Sequence, residues 1–70
     1  MNILIENAES LEYLTADNRW SKKPADGKNF SGVKAALGIA KKEVINKFNI
    51  VWYHPDTEQF INLHHGRGTA

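Results

Sequence analysis

The three histidines of this sequence, His54, His64 and His65, are the side chains best suited to metal chemistry. Imidazole is a common ligand of zinc, and three such ligands around an open position would form a catalytic site. His64 and His65 are adjacent, and adjacent residues of a strand point to opposite faces of its sheet. The sequence has no cysteine and no HExxH spacing. We therefore expect no metal and no cofactor, and we interpret the histidines as turn and tail residues.

Nucleophilic catalysis needs a serine that is held beside a histidine and an acid. The candidates are Ser10, Ser21 and Ser31. Ser31 has a structural use, because its hydroxyl can accept a hydrogen bond from the first turn of the helix that follows. The sequence shows neither a nucleophile-elbow motif nor a glycine-rich phosphate loop. It therefore predicts no catalytic residues and no enzymatic activity.

A basic segment that contains a tryptophan indicates a different chemistry. Its residues are Arg19, Trp20, Lys22 and Lys23, with Lys34 and Lys41 extending the charge along the predicted helix. Lysine and arginine bind phosphates, and an aromatic ring stacks on bases. The net charge of the chain is only +1, which is small for a nucleic-acid-binding domain. Nucleic-acid binding through this segment is therefore the alternative hypothesis rather than the first one.

Length and composition predict one small soluble domain. Seventy residues form at most one domain, which we place at 1–64, with a flexible C-terminal tail at 65–70. The hydrophobic fraction of 41% is ordinary for a folded protein. The N-terminal residues lack the pattern of a signal peptide, and no apolar run is long enough to span a membrane. We expect a cytoplasmic protein without a membrane partner.

One amphipathic helix is the clearest predicted element. We expect it to begin with Ser31 as its N-cap and to end near Asn46. At 100° per residue its apolar side chains form one stripe, made of Val33, Ala36, Leu37, Ala40 and Val44.

Extended segments flank this helix on both sides. Residues 2–7 and 11–15 alternate as a first hairpin, and 48–53 and 59–64 form a second one around a turn that contains Pro55. The predicted fold is therefore α+β, a ββαββ chain in which two antiparallel hairpins form a sheet with the helix on one face.

The second hairpin is apolar on both faces. The expected register pairs Trp52 with Phe60 and Val51 with Ile61, so that the helix would cover the face of Trp52 and Phe60. The opposite face would stay uncovered, and it carries Val51, Tyr53, Ile61 and Leu63. An uncovered apolar face usually marks an interface, and a chain of this size often gains stability from a partner. We therefore expect a homodimer that meets through these four residues.

The order of motifs resembles a class of small uncharacterised bacterial and phage proteins. The similar motifs are Ile3 to Ile5, Tyr13-Leu14-Thr15, Asp17 to Trp20, Pro24-Ala25-Asp26, Lys28-Asn29-Phe30, Ala35-Ala36 and Ile50-Val51. The resemblance implies a ββαβ(β) fold and implies no activity.

Taken together, these patterns predict a non-catalytic module that associates with itself or with an unidentified protein partner.

Overall fold

The computed structural model describes residues 2–44 and 46–68, which form five strands and one α-helix. In chain order these are β1 (Asn2–Asn7), β2 (Tyr13–Leu14), β3 (Trp20–Ser21), α1 (Val33–Glu43), β4 (Lys47–His54) and β5 (Gln59–Arg67). A short 3-10 turn, Pro24–Asp26, lies between β3 and α1. With 11 residues, α1 is too short to cross a membrane, and the described ranges contain no longer helix.

All five strands belong to one antiparallel sheet, in the order β3-β2-β1-β4-β5. A small α+β domain is therefore confirmed. The ββαββ order is wrong, because three strands precede α1 and form a meander.

Trp20–Ser21 pairs with Tyr13–Leu14 around a tight turn in which Asn18 has a φ of 60°. Asparagine accepts this left-handed conformation readily, which lets the chain reverse within a few residues.

The helix covers one face of the sheet with the predicted stripe. Ala36, Ala40 and Val44 are buried, while Val33 and Leu37 pack partly buried against the same cluster. Their small side chains let α1 lie close to the large residues beneath it, which are Ile5, Leu14, Phe30, Phe48 and Ile50. We call this side of the sheet the helix face.

The ends of α1 differ from the prediction. The N-cap is Gly32 and no described side chain caps the helix, so the exposed Ser31 does not have the predicted role. The last helical residue is Glu43 rather than one near Asn46. Val44 turns to an extended conformation, with φ −103° and ψ 128°, which points the chain into β4.

The opposite side of the sheet, which we call the far face, is closed by the chain itself. Leu4, Tyr13, Val51 and Tyr53 form a second buried cluster there. The Phe60 ring stacks on Tyr53, with 4.8 Å between ring centroids, and lies 5.8 Å from the ring of Tyr13. Gly27 approaches the same cluster so closely that a Cβ at this position would lie 3.1 Å from a methyl carbon of Leu4. The far face is therefore not the uncovered surface that the sequence predicted.

The register between β4 and β5 explains this difference. Tyr53 pairs with Phe60 and Trp52 with Ile61, one residue away from the predicted pairing. Because side chains alternate, a slip of one residue exchanges the faces. Phe60 therefore lies with Tyr53 on the far face, and Ile61 lies with Trp52 on the helix face. The expectation that the helix side holds Phe60 is wrong.

The last strand also runs further than predicted. β5 continues to Arg67 instead of ending at His64, after a bulge that leaves Leu63 without a partner on β4. Two glycines hold this extension against the rest of the fold. A Cβ at Gly66 would lie 2.5 Å from the Phe48 ring, and one at Gly68 would lie 1.6 Å from the carbonyl oxygen of Val44. Thr69 and Ala70 of the predicted tail lie outside the described residues.

Candidate functional site

β5 forms one edge of the sheet and is exposed along nearly all its length. In the described part of the chain it pairs with β4 on one side and with no strand on the other. Eight of its nine residues are exposed, the exception being Gly66. An edge strand presents backbone N–H and C=O groups that are not bonded within the sheet, and these groups can pair with a further strand.

Exposed apolar side chains concentrate on this edge. Phe60, Ile61 and Leu63 are 42%, 48% and 41% exposed. Within residues 2–44 and 46–68, the other large apolar side chains with comparable exposure are Leu11, in a turn, and Ile39, on α1. Natural edge strands usually carry charges or proline where another strand could pair. The apolar half of β5 carries neither a charge nor a proline.

The two ends of β5 carry opposite charges. Glu58 precedes the strand at its first end, and Arg67 closes the second. Arg67 pairs across the ladder with Lys47, a residue of the same charge. Across the described ranges, neither Glu58 nor Arg67 forms an ion pair. The edge therefore carries a negative charge at its first end and a positive charge at its second, and neither is neutralised by an ion pair among the described residues.

A row of polar side chains on the far face connects β5 to the centre of the sheet. The Tyr13 hydroxyl donates to a Glu6 carboxylate oxygen at 3.2 Å, and Asn49 Nδ2 donates to the other oxygen at 3.0 Å. Asn49 Oδ1 in turn faces His65 Nδ1 on β5. Since Asn49 donates with its amide nitrogen, its oxygen accepts, so His65 carries its proton on Nδ1.

Burial, together with the nearby Glu6 carboxylate, raises the pKa of the Tyr13 phenol to about 12. A hydroxyl that stays protonated keeps donating to Glu6. The row from Tyr13 to His65 therefore links β2, β1, β4 and β5 across the far face.

The structure buries two of the four predicted interface residues and exposes the other two. Val51 and Tyr53 are buried in the far-face cluster. Ile61 is exposed on the helix side, opposite Trp52, and Leu63 is exposed at the bulge. Ile61 and Leu63 therefore lie at an accessible edge, while Val51 and Tyr53 do not. Phe60 belongs to this edge and was missed, because the expected register placed it beneath the helix.

The predicted nucleic-acid segment surrounds an open cleft of about 420 Å³ next to Trp20. Lys22 and Lys23 are exposed near it, but Asp17 and Asp26 line the cleft. Arg19 is directed to Asp17, with 3.5 Å between Nε and the carboxylate oxygen.

Hydrogen bonds hold both carboxylates of this cleft in place. Asp26 accepts a hydrogen bond from Ser21 at 2.8 Å, and Asp17 accepts one from Thr15, which lowers the pKa of Asp17. Trp20 packs partly buried against the core, and Lys34 and Lys41 lie exposed on α1. Two carboxylates beside the ring weaken the case for a phosphate ligand here.

The histidines do not converge. His54 ends β4 next to Trp52, His64 lies opposite Ile50 on the helix face, and His65 lies opposite Asn49 on the far face. No group of three or more potential metal ligands occurs among the described side chains.

Comparisons of the chain with protein-family models, with curated proteins and with solved structures give no significant match. The arguments about function below therefore rest on the geometry of this chain.

Proposed function

We propose that this protein is a non-catalytic module that associates with itself through the free edge of β5. The observation that supports this proposal is a nine-residue edge strand whose exposed apolar side chains are Phe60, Ile61 and Leu63. Strand addition at such an edge joins backbone groups by hydrogen bonds and places side chains of both strands in contact.

The energetics favour a specific but modest association. Burying the exposed part of an apolar side chain that is about half accessible contributes roughly 1 kcal/mol. Three such side chains on each copy, together with the new backbone hydrogen bonds, must offset the loss of translational and rotational freedom. We therefore expect an equilibrium between monomer and oligomer that depends on concentration in the micromolar range.

Sedimentation velocity with the variant Leu63→Lys tests this proposal. A lysine at the centre of the edge introduces a charge that would have to be desolvated, so we expect the dissociation constant to rise about tenfold or more. The matched control is Leu11→Lys, since Leu11 is more exposed, at 61%, but lies between β1 and β2 and not on β5. This control should associate like the unmodified chain.

Two results would contradict the proposal. The first is an unmodified chain that stays monomeric up to millimolar concentration. The second is equal weakening by both lysine variants, because a loss of apolar surface anywhere would then explain the effect. Circular dichroism of each variant establishes that it is folded.

Nucleic-acid binding through the segment of Trp20 is a second candidate. The observation in its favour is the exposure of Lys22 and Lys23 beside an open cleft that contains an aromatic ring. Fluorescence anisotropy of a labelled single strand should show affinity that falls as salt is added. The double variant Lys22→Glu, Lys23→Glu should remove the binding, and an affinity insensitive to salt would exclude this candidate.

A further inference from the structure

We infer that β5 pairs with β5 of a second copy in an antiparallel, closed dimer, with the two-fold axis between Asn62 and Leu63. This inference rests on the proposed self-association and specifies its geometry. It predicts a continuous ten-stranded sheet, since each copy has a sheet of five strands.

The bulge in β5 restricts which registers are possible. Paired residues of neighbouring strands must lie on the same face of the sheet. Before the bulge, Phe60 lies on the far face and Ile61 on the helix face; after it, His64 lies on the helix face and His65 on the far face. A two-fold axis between Asn62 and Leu63 pairs residues of the same face on both sides of the bulge. Phe60 then meets His65 of the second copy, and Ile61 meets His64.

The charges at the ends of β5 favour this register. It brings Glu58 of each copy beside Arg67 of the other, so two ion pairs form by symmetry. Neither residue has an ion-pair partner in its own chain among the described residues, and Arg67 is opposed by Lys47 on β4. A carboxylate from the second copy would offset this repulsion between like charges.

Registers displaced by two residues fit less well. A shift in one direction places Arg67 opposite Phe60. A shift in the other direction moves Arg67 past the end of the second strand, to its turn, and shortens the paired region. The register around Asn62 and Leu63 pairs residues 59–66 of both strands and is the one that brings Glu58 beside Arg67.

The symmetry also explains why assembly would stop at two copies. A two-fold contact uses the same edge of both chains, so no β5 edge remains free. The other edge, β3, has only two residues, Trp20–Ser21, which is too little to extend the sheet.

Charge reversal tests the ion pairs. Glu58→Arg and Arg67→Glu each convert two attractions into two repulsions, and we expect each to raise the dissociation constant of the dimer about tenfold. The double variant Glu58→Arg, Arg67→Glu restores both pairs with exchanged signs, so its affinity should return to that of the unmodified chain. A double variant that is no better than the singles would overturn the ion pairing.

Disulfide trapping tests the register, and the absence of native cysteine makes every product interpretable. Directly opposite strand residues lie within the Cα separation that a disulfide spans. An equimolar mixture of the single variants Ile61→Cys and His64→Cys should form a mixed disulfide dimer under mild oxidation. A mixture of Phe60→Cys and His64→Cys is the matched control, because these residues lie on opposite faces.

The outcomes separate this inference from the proposal on which it depends. A chain that never dimerises contradicts both. A dimer that is trapped only through another cysteine pair, or an assembly that grows beyond two copies, contradicts the register and the closure but leaves self-association through β5 in place.

Discussion

The two edges of the sheet differ in length, composition and protection. β3, at one edge, has two half-buried residues, and the Ser21 hydroxyl is engaged by Asp26 and by the backbone N–H of Lys23. β5, at the other edge, has nine residues and is exposed nearly throughout. A short edge whose polar groups are occupied resists pairing with another chain, whereas a long apolar edge favours it. The comparison shows that the same sheet can be closed on one side and open on the other.

The largest expected effect concerns the glycine that holds the end of the open edge. A Cβ at Gly68 would collide with the Val44 carbonyl oxygen. Gly68→Ala should therefore reduce the free energy of unfolding by about 2–3 kcal/mol, because the strand end must move away from α1. Chemical denaturation measures this change.

The matched control for that substitution is Gly38→Ala. Apart from its chain neighbours and the adjoining helix backbone, no atom of the described residues lies within 4 Å of a Cβ added at Gly38, which is exposed within α1. Alanine should raise the free energy of unfolding by about 1 kcal/mol, since glycine is a poor helix former. A Gly68→Ala variant with an unchanged free energy of unfolding would show that this end of β5 is not held against α1.

Hydrogen exchange should distinguish the two edges directly. As protein concentration increases, the amides of β5 that lie free in the monomer should become protected by several-fold, because they bond to a second strand. The amides of Trp20 and Ser21 should exchange at a constant rate. Protection that rises equally at both edges would show that the difference between them does not control association.

A smaller effect involves the row of polar side chains from Tyr13 to His65, which connects β2 to β5. The pKa of Tyr13 is about 12 in the folded chain and about 10 when the phenol is free in water. The folded state therefore binds the phenol proton more tightly than the unfolded state does. The contribution of Tyr13 to the free energy of unfolding should be constant below about pH 10 and should fall between about pH 10 and 12.

The variant Glu6→Gln checks this cause. Burial is the first reason for the shift and remains in the variant, while the charge of Glu6 is removed. The pKa of Tyr13, followed by ultraviolet absorbance, should fall part of the way towards its ordinary value. An unchanged titration would indicate that Glu6 does not contact Tyr13 in solution.

The smallest effect is expected in the turn next to the closed edge. Hydrogen bonding from Thr15 lowers the pKa of Asp17, but the carboxylate is highly exposed and solvent screens it. Its contribution to stability is present above its ordinary pKa and is lost as the pH falls below about 4. Asp17→Asn should shift the melting temperature only slightly. A large shift would mean that this turn stabilises the β3 edge more strongly than the β5 edge is stabilised.

Local patterns predicted much of the fold. Alternation predicted a strand with Ile3 and Ile5 on one face, and a period of 3.6 identified the stripe of Ala36 and Ala40, and all four belong to the cluster beneath the helix. These predictions succeed because each depends on residues close in the chain. Ser31 shows the limit of such reasoning, since it suits a cap by type, but the helix begins one residue later.

The candidate site was only partly predictable. Of the four residues predicted to form an interface, Ile61 and Leu63 are exposed, whereas Val51 and Tyr53 are buried. The register of β4 and β5 differs by one residue from the expected one. The four-residue loop between His54 and Gln59 sets this register, and hydrophobicity does not encode it when both faces of a hairpin are apolar. The edge position of β5 depends on contacts between distant strands.

The sequence by itself determined that this chain has one amphipathic helix, strands rich in branched and aromatic residues, and more apolar surface than a single helix can cover. Only the tertiary structure decided where that surface lies. The far face is closed by Tyr13, Tyr53 and Phe60, so the excess appears at the β5 edge. The reason is physical: helix and strand periodicity are local properties, whereas register, strand order and the choice of a free edge arise from the packing of the whole chain.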